Sequence, residues 1–99
     1  MDIKKTAYDG AMTVSVSGRL ESMTAPQLDA EIQALPEDVH ELIMEISELE
    51  YVSSAGLRVF LLAHKKMKSR GGMMKISGAN ASVKKVFDIT GFSPILNFV

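Results

Sequence analysis

The residues best suited to chemistry stand together mid-chain, in Tyr51-Val52-Ser53-Ser54-Ala55-Gly56-Leu57. Four small residues separate two apolar stretches where a helix is expected to begin. A serine at that place can do two things. It can cap the helix by accepting orphan backbone N–H groups. It can also carry a phosphoryl group, because the helix dipole and the free N–H groups stabilise an anion there. Capping accounts for one serine but not for Gly56, which costs roughly 1 kcal/mol relative to Ala inside a helix. Small residues are expected to leave the backbone open to a partner or a phosphoryl donor. The residue types fit simple capping and a regulated docking surface equally well.

Other chemistry is poorly represented. The sequence has no GxSxG elbow, so Ser54 lacks the strained turn of an esterase nucleophile. It has no Gly-rich dinucleotide turn and no phosphate-loop motif. The histidines are His40, in a polar turn, and His64, on the inner arc of a helix as a packed or rim residue. Met73-Met74 reads as core filling rather than a soft-metal site. Glu45, Glu48 and Glu50 read as surface acids. With no cysteine, disulfides, thiol nucleophiles and Cys-ligated metals are excluded. No enzyme, metal or cofactor is expected.

The 99 residues suit one domain, 1–99, and a formal charge of −1 argues against a dedicated nucleic-acid binder. The longest unbroken apolar run, Val59–Ala63, falls far short of the roughly 20 residues of a membrane span. The start, Met1–Lys5, lacks the apolar stretch of a signal peptide. A cytoplasmic domain without a membrane partner is expected.

These residues need elements to position them. Ile3–Tyr8 reads as a strand, and Asp9-Gly10 suits a tight hairpin turn. Met12, Val14 and Val16 alternate with Thr13, Ser15 and Ser17, the pattern of a half-buried strand. Its polar face predicts helices on one side of the sheet only, and gives no apolar dimer interface. Gly18–Ser22 is expected to be a loop. Thr24 with Gln27 suggests a capping box, and Met23 with Leu28 a hydrophobic staple. Leu28, Ile32 and Leu35 form a helical stripe ended by Pro36.

Glu41–Ile46 is a strand, Ser47–Ser53 a connection, and Ser54–Arg70 a helix with Leu57, Phe60, Leu61, His64 and Met67 inward. Lys65, Lys66, Lys68 and Arg70 crowd its C-terminal end, where cations compensate the dipole, and Gly71-Gly72 stops it. Met73–Ser77 is a strand, Asn80 caps a third helix, and Ile95–Val99 is an extended tail. The order implies an α/β fold with a mixed, mostly parallel sheet of four to five strands. Any site belongs at the carboxyl ends of the parallel strands, in the loops Gly18–Met23, Ser47–Ser54 and Gly78–Asn80.

The segment Glu45–Val59 resembles the signature of STAS domains, specifically the stand-alone bacterial anti-sigma factor antagonists. Gly18-Arg19-Leu20 with Thr24-Ala25-Pro26, and Val86–Phe92, resemble flanking parts of the same family. The resemblance implies a non-enzymatic regulator. Its unphosphorylated form binds an anti-sigma factor, itself a serine kinase of the GHKL type, and so frees the sigma factor. Phosphorylation weakens that binding, and a PP2C-type phosphatase reverses it. The family core Asp-Ser-Ser-Gly-Leu carries phosphate on the serine after Asp, which corresponds to Ser54. Ser53 stands where the family has Asp and becomes a rival acceptor; Ala55 stands where a second Ser is common. The implied partner surface comprises Gly18, Arg19, Glu21, Ser22, Met23, Ser53, Ser54, Ala55, Gly56 and Arg58. The alternative is a STAS subunit that docks constitutively in a transport or signalling assembly. The missing Asp favours that alternative.

Overall fold

Asp9 (φ 46°) and Gly10 (φ 80°) turn the chain back on itself. Positive φ at both central residues matches the twist of the strands they join. The hairpin joins β1 (Asp2–Tyr8) to β2 (Ala11–Leu20), paired antiparallel from Tyr8↔Ala11 to Asp2↔Ser17. The computed structural model describes residues 1–99, with every side chain except that of Tyr8. After β2 follow α1 (Ala25–Gln33), β3 (Glu41–Glu45), β4 (Leu49–Val52), α2 (Ser54–Ser69), β5 (Met73–Ser77), α3 (Ala81–Ile89) and β6 (Asn97–Phe98).

The sheet order is β1-β2-β3-β5-β6, and every pairing except the hairpin is parallel. β4 pairs with the far end of β2, through Gly18↔Leu49, Arg19↔Tyr51 and Leu20↔Val52. This corrects two expectations. Residues 18–20 are strand rather than loop, and the connection after residue 46 contains a strand. Both escape the alternation pattern for one reason: the register shifts between Gly18 and Arg19, where Gly18 takes a φ of 88°. A bulge of this kind resets which side chains point inward.

The expected polar face is present. Met12, Val14 and Val16 are buried, while Thr13, Ser15 and Ser17 are only partly covered. The buried face joins Leu28 and Ile32 of α1, Leu57, Phe60 and Met67 of α2, and Val83 and Phe87 of α3 in one core. Phe87 holds it together by edge-on contacts with Phe60 (5.3 Å) and Phe98 (5.1 Å). The inner arc of α2 includes Val59 and Ala63, whereas Leu61 and His64 sit half-buried at its edge. Met74 is core as expected, but Met73 is exposed.

The start of α1 differs from expectation. Thr24 makes no side-chain cap, and Met23 is 84% exposed, so neither capping box nor staple forms. The Thr24 hydroxyl instead accepts from Glu21 N (3.0 Å) and donates to Arg19 O (2.9 Å). Asn80 does cap α3, accepting from Val83 N at 2.9 Å. Its amide also donates to Leu49 O (2.9 Å), which ties α3 to β4. Arg70 does more than compensate a dipole. Its guanidinium donates to the carbonyls of Leu35, Pro36 and Val39, fastening the end of α2 to the α1–β3 connection.

Candidate functional site

The first two of the three strand-end loops meet. The N–H of Ser53 donates to Leu20 O (2.9 Å), and the N–H of Gly18 to Glu48 O (3.1 Å). These bonds set the start of α2 beside the β2–α1 connection. The third loop, Gly78–Asn80, packs against the opening of the second, at Ser47 and Leu49. A Cβ at Gly78 would meet Ser47 and the Glu45 carboxylate, and Asn80 bonds Leu49.

Ser53 is the N-cap by position. Its carbonyl accepts from Leu57 N (2.9 Å), the first helical bond of α2. The N–H groups of Ser54, Ala55 and Gly56 precede that bond, as in any helix start. The Ser53 side chain makes no cap, and its Oγ is buried without a partner. Ser54, the next residue, is exposed. The two adjacent serines therefore face different environments.

Gly56 corrects the expectation of an open backbone. It is buried, and a Cβ there would stand 2.7 Å from Leu20 Cγ and 2.9 Å from Val52 Cγ2. The glycine lets α2 press on the ends of β2 and β4, and it offers no surface to a partner. The other small residue, Ala55, is partly exposed between two grooves.

Around Ser54 the surface has three parts. Arg19 is exposed and sits over Tyr51, its guanidinium carbon 4.4 Å from the ring centroid. Glu21 is turned into its own loop, where its carboxylate accepts from Met23 N (2.9 Å), while Ser22 and Met23 face solvent. Arg58 is exposed on α2 between the two grooves. One, of about 590 Å³, is lined by Ser54, Arg58, Leu62, Lys65 and Phe92. The other runs between α1 and α2 past Ser22, Pro26, Asp29, Arg58 and Leu62.

Sequence reasoning missed Leu62 and Phe92. Leu62 is apolar yet 40% exposed, and it lies four residues after Arg58, outside the inner arc. That spacing was the available signal. Among the described residues no group of His and acidic side chains is arranged to hold a metal ion. No helix is long and apolar enough to cross a membrane.

The STAS domain profile matches residues 2–99. The chain belongs to the STAS-domain family. It is 32% identical over 96 residues to BtrV of Bordetella bronchiseptica, covering 96% of this chain and 83% of that one. It is 29% identical over 97 residues to the anti-sigma-B factor antagonist of Bacillus subtilis, covering 98% and 87%. An anti-sigma factor antagonist from Mycobacterium paratuberculosis superposes with a TM-score of 0.86 at 24% identity, over 98% of this chain and 83% of that chain. The phosphorylated form of the Bacillus cell fate determinant SpoIIAA superposes with a TM-score of 0.77 at 17% identity, covering 99% and 91%. This STAS domain thus has its named relatives among anti-sigma factor antagonists, which are regulators rather than enzymes.

Proposed function

We propose that this STAS domain binds an anti-sigma factor and that phosphorylation of Ser54 weakens the complex. The observation that carries the proposal is the contrast between the two serines. Ser54 is exposed at the first position of α2, and the Ser53 hydroxyl is buried. Only the former offers an oxygen to a phosphoryl donor, in a chain whose relatives are named antagonists. The partner surface is Gly18, Arg19, Ser22 and Met23 with Ser54, Ala55 and Arg58; Gly56 lies beneath it, and Glu21 shapes the loop.

In the transfer step, Ser54 Oγ bonds to the γ-phosphorus of ATP held by a GHKL-type kinase. The bond from that phosphorus to the ADP oxygen breaks, and the hydroxyl proton passes to a base on the kinase. A PP2C-type phosphatase restores the hydroxyl by hydrolysis. The added charge of about −1.5 to −2 repels acidic partner groups and is costly to bury against apolar ones. The test is incubation with the anti-sigma factor kinase and ATP, followed by mass mapping. Phosphate on Ser54 and not Ser53 is expected. No phosphate from a kinase active on another antagonist would sink the proposal.

A second function has one feature in its favour, the serine at position 53 where an acid is usual. There the domain docks constitutively in a larger assembly. Capture of a transporter subunit in place of a kinase in a pull-down would support it.

A further inference from the structure

We infer that Arg58 is the intramolecular receptor for a phosphoryl group on Ser54. The inference rests on Ser54 as the modified residue and adds where its phosphate goes. Arg58 follows Ser54 by four residues in α2, so the two lie one turn apart on one face, and both line the groove that Phe92 also lines. Helical side chains lean toward the N-terminus, which carries the Arg58 stem back over the turn that Ser54 opens. An anion at position i with a cation at i+4 is also the favourable order along a helix.

The charges around the groove agree. Its charged lining side chains, Arg58 and Lys65, are both cations. The ion pairs among the described residues are Lys5–Glu31, Lys75–Glu41 and Lys84–Asp88, so Arg58 has no acid to leave. Asp29 of α1 shares the second groove with Arg58 without pairing to it. The planar guanidinium can give two parallel N–H bonds to phosphate oxygens, and the start of the helix adds backbone donors. Arg58 is the one charged side chain common to both grooves. Capture by phosphate would therefore withdraw a cation from the whole exposed ridge of α2, in addition to placing an anion at its end.

The test installs phosphoserine at position 54 during translation, so no kinase is involved and its outcome is separate from whether Ser54 is a kinase substrate. Phosphorus NMR then follows the second ionisation of the phosphate in four proteins: wild type, Arg58→Gln, Arg58→Lys and Lys65→Gln. The acids on the packed elements, Asp29 on α1 and Glu21 in the β2–α1 loop, are the same in all four. In Arg58→Gln the phosphate should bind its proton more tightly than in wild type, by about threefold or more. Arg58→Lys should recover part of the difference, and Lys65→Gln should match wild type. Identical titration of wild type and Arg58→Gln, or a shift that follows Lys65 instead, overturns the assignment.

Discussion

Gly56 on α2 presses against Leu20 at the end of β2 so closely that a Cβ on the glycine would stand 2.7 Å from Leu20 Cγ. Leu20 is wholly buried, and the Ser53 N–H bonds its carbonyl. The start of α2, with Ser54 upon it, is therefore positioned by steric contact and a hydrogen bond to one residue of β2.

Gly56→Ala sets two effects against each other. Helix propensity favours Ala by about 1 kcal/mol, whereas overpacking a filled core costs about 1–3 kcal/mol. The atom met first is a branch carbon of a buried side chain, which has no room to swing away, so the clash should win. Urea denaturation should show a net loss of up to about 2 kcal/mol. A more stable variant would mean that Gly56 is not held against Leu20.

Ser53→Ala should behave unlike most cap substitutions. Loss of an N-cap serine typically costs about 1 kcal/mol because a hydrogen bond is lost. Here the hydroxyl makes no cap and lies buried without a partner. Removing such a group is close to neutral or stabilising. Denaturation midpoints of variant and wild type should agree, or the variant's should be slightly higher. A loss of about 1 kcal/mol or more would reveal a bond to Ser53 Oγ.

Arg70→Lys should destabilise the domain although it keeps the charge. The guanidinium reaches Pro36 O (2.8 Å), Val39 O (3.2 Å) and Leu35 O (3.2 Å) from two nitrogens at once. An ammonium cannot reproduce that fork. A loss of about 1 kcal/mol is expected, with faster amide exchange at Val39, whose N–H bonds Pro36 O. Unchanged exchange and stability would show that the charge alone matters.

His64 makes stability depend on pH. Burial holds its pKa below the ordinary imidazole value, and the neighbouring Lys68 ammonium lowers it further. Between the folded value and about 6.5 the unfolded chain binds more protons than the native one. The contribution of His64 is thus whole above about pH 6.5 and declines as pH falls below it. Denaturation midpoints should drop between about pH 7.5 and about pH 5.5, and His64→Gln should reduce the drop. The same drop in both proteins would remove His64 as its source.

Ser54→Asp should weaken capture of the anti-sigma factor at least tenfold, about 1.4 kcal/mol, whereas Ser54→Ala should bind as wild type does. Competition binding with the labelled domain measures both. Equal affinities of the Asp and Ala variants would place the switch elsewhere.

Much of this was legible in the residues alone. Alternation in Met12–Ser17, the inward pair Leu28 and Ile32 of α1 and the cap at Asn80 are local patterns, written by the period of each element and the needs of its ends; Leu35, expected in the same stripe, is buried beyond the end of α1. The junction Ser53–Leu57 announced itself through small residues where a helix starts. Local patterns could not reveal β4, because a four-residue strand beside a bulge has no period to detect. Nor could they tell why Gly56 is glycine. The distance to Leu20 depends on how β2 and α2 cross, and those residues are far apart in sequence. The difference between Ser53 and Ser54 is decided the same way. As residue types they are identical, and only the packing of α2 on the strand ends buries one hydroxyl and exposes the other.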